Sequence, residues 1–230
     1  MIPLVSLVAA LAIPVLVQVQ AGPPAAAVPH PGWEPGRNRF RNPPDLGPYI
    51  AAQEEPSRDR WQKPDQVLQA LAVRPGQTVC DIGAGPGYFT LRLAHLVGAQ
   101  GRVYAVDVEP RILEALRERL EKRAIVNVTP VLGLGDNPLL PDATCDLILI
   151  VDTYHHFPDG PAYLRRLALL LKPAGRIANI DFRKQPTPLG PPQEHRIARE
   201  AFLREAATAS LKLDQELTFL ENQYFIFLRR

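Results

Sequence analysis

The chain has 230 residues, 46% of them hydrophobic and 22% charged, a balance that supports one globular core and excludes collagen-like, disulfide-scaffold and wholly disordered chains. Twenty-six basic residues against 24 acidic ones leave a formal charge of +2, so no large field argues for a nucleic-acid surface. Two cysteines, Cys80 and Cys145, are too few for a disulfide framework or a thiolate zinc site, and each reads as a small buried apolar side chain.

Residues 2–19 carry no charge; as a helix, at about 1.5 Å per residue, they would reach about 27 Å, just short of a bilayer core. Two readings of residues 1–21 stay open. One is a secretory signal ending in Val19-Gln20-Ala21, although the usual basic leader is missing because the first Lys or Arg is Arg37; cleavage there would export the protein. The other, favoured here, is a membrane anchor, for which Arg37, Arg39 and Arg41 would place the domain on the cytoplasmic side. Proline makes up 25 of the residues, about twice the usual share, and it crowds the stretch before Pro64. Residues 22–57 therefore read as an extended Pro-rich linker, in which Trp33, Phe40, Tyr49 and Ile50 do no more than pack. The compact domain is expected over 58–230, opening with a helix from Trp61 to Val73.

From there short β-branched runs and helical stretches alternate. Thr78–Ile82, Arg102–Val106, Val126–Leu132, Asp146–Val151 and Arg176–Ile180 read as buried strands. Pro110–Arg123, with Ile112, Leu113, Leu116 and Leu120 on one face, is the clearest helix; Pro161–Leu171 and Arg196–Ala209 repeat the theme more weakly. Alternation of this kind forces parallel pairing with right-handed crossovers. Leu211–Leu220 and Gln223–Leu228 are separated by two residues and form a hairpin, so one of them must run antiparallel. The fold class is α/β: a doubly wound, mostly parallel seven-stranded sheet with helices on both faces and a C-terminal antiparallel hairpin.

The first strand ends in Asp81-Ile82-Gly83-Ala84-Gly85-Pro86-Gly87-Tyr88, a glycine turn that opens a helix at the strand ends where open α/β sheets bind ligands. Its spacing fails the dinucleotide pattern, because the sixth residue from Gly83 is Tyr88, and the Gly-Lys-Ser/Thr of a phosphate loop is absent. Asp81 at the turn would repel a pyrophosphate and hold an ammonium group. The second strand ends at Asp107, the residue type that accepts hydrogen bonds from two ribose hydroxyls. A nucleoside with an ammonium-bearing tail and no diphosphate is S-adenosylmethionine.

With Asp81 to Gly87, Val106-Asp107-Val108, Gly135-Asp136 followed by Pro141 to Asp146, Tyr154-His155-His156-Phe157 and Leu171 to Arg176 in order, the sequence resembles the class I S-adenosylmethionine-dependent methyltransferases across residues 61–230, a Rossmann-like family. The resemblance implies that Asp81, Gly83, Ala84, Gly85, Gly87 and Tyr88 hold the methionine part and Asp107 the ribose. Asp136 would hold the adenine amino group and Val108 would line the adenine slot; Asp152, at the end of the fourth strand over the same crevice, is counted with the cofactor-binding residues.

A sulfonium methyl is already activated, so the protein must hold the acceptor in line and remove its proton. His155 and His156 follow the fourth strand over the crevice, with His156 ahead by resemblance; His195 and Arg196 come second, at the end of a loop running from Arg183 whose four prolines make it a stiff cover for the acceptor. Asp146 and Asp181 read as strand-end caps. No metal is expected, since adjacent histidines in an extended segment point apart. Asp152-Thr153-Tyr154 lacks the Pro-Pro-aromatic motif of enzymes that methylate nucleobase amines, which together with the charge sets nucleic acid aside. The acceptor is expected to be a small, lipophilic, phenolic or quinone-like molecule methylated at oxygen or carbon. A protein carboxyl methyltransferase, a cofactor-binding protein without turnover and a nicotinamide oxidoreductase are the alternatives. Oligomeric state is left open.

Overall fold

The computed structural model describes residues 45–230. The apolar stretch and most of the Pro-rich segment lie outside these residues; among the described ones, no helix is long and apolar enough to cross a membrane.

Seven strands form one sheet in the order β3-β2-β1-β4-β5-β7-β6: β1 Thr78–Ile82, β2 Arg102–Asp107, β3 Val128–Leu132, β4 Cys145–Val151, β5 Leu171–Phe182, β6 Lys212–Leu217 and β7 Gln223–Arg229. The first five pair in parallel, and β7 runs antiparallel to both β5 and β6. The hairpin supplies the expected reversed strand, but its first strand ends at Leu217 rather than Leu220, so residues 218–222 make the connection and not the two residues expected. Helices cover both faces. On one, α3 Pro64–Leu71, α4 Thr90–Val97 and α5 Pro110–Lys122 bury Val67, Leu93, Val97, Leu113 and Leu116. On the other, α6 Gly160–Leu170 and α7 Arg199–Thr208 bury Leu164, Leu167, Phe202 and Ala206. The apolar stripe of α5 faces the sheet, and Glu109 caps its start by accepting a hydrogen bond from the Arg111 N–H (3.2 Å).

Four further expectations are corrected. The helix read over Trp61–Val73 is two, α2 Arg58–Gln62 and α3, broken at Lys63, whose φ of 47° is left-handed; Pro64 disfavours helical geometry in the residue before it. The linker read over 22–57 ends in a helix, α1 Gly47–Gln53, which has proline in its first turn. The last crossover helix begins at Arg199 rather than Arg196. Cys80 and Cys145 are buried, as expected of small apolar side chains, but they are joined in a disulfide with a Cα–Cα distance of 6.0 Å. Sixty-five residues separate them in sequence; the parallel pairing of β1 with β4 brings them together.

Candidate active site

Aspartates end four of the parallel strands: Asp81 on β1, Asp107 on β2, Asp152 just after β4 and Asp181 on β5. Between these ends lie two adjoining cavities, of about 390 and 130 Å³, which share Tyr49, Gly83, Asp152, Thr153 and His156. The turn that separates β1 from α4 is set by two backbone N–H groups, those of Gly83 and Ala84, donating to the Val106 carbonyl (2.8 and 3.0 Å). Gly83 has φ +73°, and a Cβ there would lie 2.3 Å from the Thr153 side chain, so only glycine lets the β4 end approach. Around Gly85 the space is open, with nothing within 4 Å of a Cβ position.

Asp81 is buried and accepts the Thr90 hydroxyl at 2.6 Å; burial pushes its carboxyl up to about 6, against the pull of that hydrogen bond. Asp107 lines the smaller cavity with Val108, Ile112, Leu134, Gly135 and Tyr163. Its two oxygens accept the Gly85 and Glu109 N–H groups at 3.0 Å each, and burial raises it while those bonds oppose the rise. Asp152 has a left-handed φ of 51° and accepts from Gln223 (2.6 Å); burial raises it, and the Asp181 charge adds to the effect.

Gln223 in turn accepts from Gln62 (2.9 Å), and Gln62 from Arg58 (3.4 Å), tying α2 to the strand ends. Arg58 is buried, stands 3.9 Å from Asp152, and lies over the Tyr88 ring at 4.0 Å. The Tyr88 hydroxyl donates to Asp59 (2.5 Å).

His155 is buried and its Nδ1 lies 2.9 and 3.0 Å from the two Asp181 oxygens. Burial alone would lower its pKa, but the Asp181 hydrogen bond and charge outweigh it and the imidazole is raised. His156, whose ring centre is 4.2 Å from that of His155, is pushed down to about 4, first by burial and then by its neighbour. Asp181 also accepts the Phe182 N–H (2.8 Å), so besides capping the strand end, as expected, it holds the His155 ring. Asp146 takes the Thr78 N–H and Lys172 (2.8 and 2.6 Å) at the other end of β4.

Of the residues expected here, Asp81, Gly83, Ala84, Gly85, Tyr88, Asp107, Val108, Asp152, His155 and His156 line the cavities. Gly87 does not; a Cβ there would meet Leu116 at 2.6 Å, so its role is packing. Asp136 lines neither cavity, although its charge reaches Tyr163, whose phenol burial has already raised. His195 sits in the short turn Gln193–His195 and lines neither. The sequence reading missed Arg58, Trp61, Phe182 and the partnership of Asp181 with His155, and it took Tyr49 for packing alone. The recurrence of aspartate at strand ends was the signal available for Asp181.

Two buried carboxylates, Asp81 and Asp107, an open glycine cradle and an apolar slot beside Asp107 fit a nucleoside with a cationic tail. Asp81 suits the ammonium group, Asp107 the ribose, and Val108 and Ile112 the adenine.

Residues 74–221 match a family model described as a methyltransferase domain. The ubiquinone/menaquinone biosynthesis C-methyltransferase UbiE of Shewanella frigidimarina is 32% identical over 123 residues, 53% of this chain and 48% of that one. A second Shewanella UbiE is 31% identical over 143 residues, 62% of this chain and 53% of that one; the chain spans about half the length of the curated relatives it matches. A crystal structure of a SAM-dependent methyltransferase from Aquifex aeolicus superimposes with a TM-score of 0.75 at 26% identity, over 79% of this chain and 96% of that one. The [4+2]-cyclase SpnF shares the fold alone, with a TM-score of 0.62 at 13% identity over 74% of this chain and 80% of that one.

Proposed function

The chain belongs to the class I S-adenosylmethionine-dependent methyltransferases, and on that footing we propose that it methylates a small, flat, lipophilic phenol or hydroquinone, at carbon or oxygen. S-adenosylmethionine supplies a methyl group that leaves as an electrophile. The observation that carries the reading is His155 on the wall of the larger cavity, with Asp181 buried behind it and bonded to its Nδ1. Asp181 accepts the Nδ1 proton, which leaves Nε2 as the basic nitrogen. His155 then takes the acceptor's hydroxyl proton, and the electron pair released goes to the oxygen, or through the ring to the adjacent carbon, that bonds the methyl. Where carbon is methylated, the ring proton is lost afterwards and aromaticity returns. Trp61 and Phe182, 5.6 Å apart between ring centres, together with Leu189 and Pro191, give this end of the cavity the apolar wall a quinol needs. The names of the UbiE relatives support the same acceptor class.

Membrane association through residues 1–21 belongs to the same proposal, because an anchor would hold the site beside a lipophilic acceptor. Membrane fractionation with N-terminal sequencing of the mature chain tests it; a soluble chain beginning after Ala21 overturns the anchor in favour of export.

Incubating the full chain with methyl-labelled donor and 1,4-naphthoquinol tests the reaction. Labelled 2-methyl or O-methyl product, with S-adenosylhomocysteine in equal amount, is expected. Label in base-labile protein esters would establish the carboxyl methyltransferase instead, and tight binding of S-adenosylhomocysteine without turnover would establish a binding protein.

A further inference from the structure

β5 leaves the site at Phe182 and is followed by Arg183-Lys184-Gln185-Pro186-Thr187-Pro188-Leu189-Gly190-Pro191. The prolines of this strap cannot donate hydrogen bonds, so it is rich in acceptors and poor in partners of its own. The Gln193 amide donates to the Lys184 carbonyl (3.4 Å) and the Thr187 hydroxyl to that of Leu189 (2.6 Å), but one side chain supplies most of the donors. Arg196 is 4% exposed; its Nε donates to the Pro191 carbonyl (2.7 Å), its Nη1 to the Arg183 and Gln185 carbonyls and the Thr187 hydroxyl (3.1, 2.8 and 2.7 Å), and its Nη2 to the Leu189 carbonyl (3.0 Å). Its guanidinium also lies 5.2 Å from the centre of the Phe182 ring. Gly190, at φ +91°, presses onto that ring so closely that a Cβ would lie 2.6 Å from it. The strap is therefore folded around a buried guanidinium and flattened on Phe182, and Leu189, Gly190 and Pro191 form part of the larger cavity's wall.

We propose that Arg196 is a positioning residue that pre-folds the 183–191 strap into a fixed wall of the acceptor pocket, and so sets affinity for the acceptor while leaving affinity for the methyl donor alone. The proposal rests on the function given above. Its physical basis is preorganisation: a wall already ordered costs the acceptor nothing to order on binding. A lysine keeps the charge but offers one point donor where a planar fork reaches five acceptors, so it does not substitute.

The test uses the full chain as Arg196→Lys, Arg196→Met and, leaving the guanidinium in place, Gly190→Ala. Both Arg196 variants are expected to raise KM for 1,4-naphthoquinol about tenfold, and Gly190→Ala several-fold, with the dissociation constant of S-adenosylhomocysteine, measured by calorimetry, within twofold of the wild type. Trypsin should cut after Arg183 or Lys184 faster in the Arg196 variants than in the wild type. An unchanged KM with faster cutting would overturn the role in acceptor binding, because the strap would be loose without consequence. A loss of S-adenosylhomocysteine affinity equal to the rise in KM would overturn it too, as general damage to the fold. Should the wild type not methylate naphthoquinol, the proposed acceptor falls, and the pin is judged by trypsin, where an unchanged rate in Arg196→Met refutes it.

Discussion

Asp81 meets a bound ligand with its ionised form already disfavoured, since burial holds its carboxyl near 6. An ammonium group beside it would favour the ionised form and lower that value, so binding near pH 6 releases a proton. The affinity for S-adenosylhomocysteine is therefore expected to fall about tenfold between pH 7 and pH 5. Asp81→Asn should bind more weakly at pH 7 and lose the pH dependence; calorimetry in buffers of different ionisation enthalpy measures both, and a pH-independent wild type refutes the assignment. His155 carries the opposite requirement. It must be neutral to accept a proton, and its pKa is raised, so turnover should climb as pH rises past 6.5 towards the raised value. Asp181→Asn removes the charge that raises it and the acceptor of its Nδ1 proton. A fall in kcat of about a hundredfold or more, with the rising limb shifted to lower pH, is expected in a pH profile. His156, near 4, is already neutral throughout this range, so His156→Ala should leave the limb where it is.

At the scale of elements, α1 and α2 form a roof that ion pairs hold to the core helices. Arg119 on α5 binds Glu54 (2.5 Å) and also the Pro86 carbonyl of the glycine turn (2.5 Å), while Arg92 on α4 binds Asp59 (3.2 Å). Tyr49, Ala52 and Gln53 of this roof line the larger cavity. A chain trimmed to residues 58–230 is expected to keep its sheet and lose about tenfold in S-adenosylhomocysteine affinity; circular dichroism and calorimetry separate the two effects. The periodic elements were legible because their signals are local: the stripe of α5 repeats within its own turns, and β1 is bounded by its own glycines. α1 was not legible, because its composition is that of a linker and the Pro48 that opens it reads equally as a breaker. The end of α2 depends on one left-handed residue, Lys63, which no periodicity marks.

For the molecule as a whole, the disulfide closes a 65-residue separation between neighbouring strands in the core beneath the site. Chain-entropy reasoning assigns such a loop about 4 kcal/mol of stability. Changing Cys80 and Cys145 together to alanine, or reducing the unfolded chain, should lower the free energy of denaturant unfolding by about that much. Thiol titration of the unreduced, denatured protein should find no free thiol; two free thiols would refute the bond. A persistent disulfide suits an oxidising compartment, which gives the fractionation experiment a second readout.

Sequence alone determined the alternating strands, the reversed last strand, the glycine turn, and the aspartates at the ends of the first, second and fourth strands, because each rests on a pattern contained within a few neighbouring residues. The tertiary structure decided that the two cysteines meet, which aspartate lies against His155, that Tyr49 lines both cavities, and that Arg196 serves the strap. These depend on atoms brought together by the order and register of the sheet, and a linear pattern carries no record of which strand ends become neighbours in space.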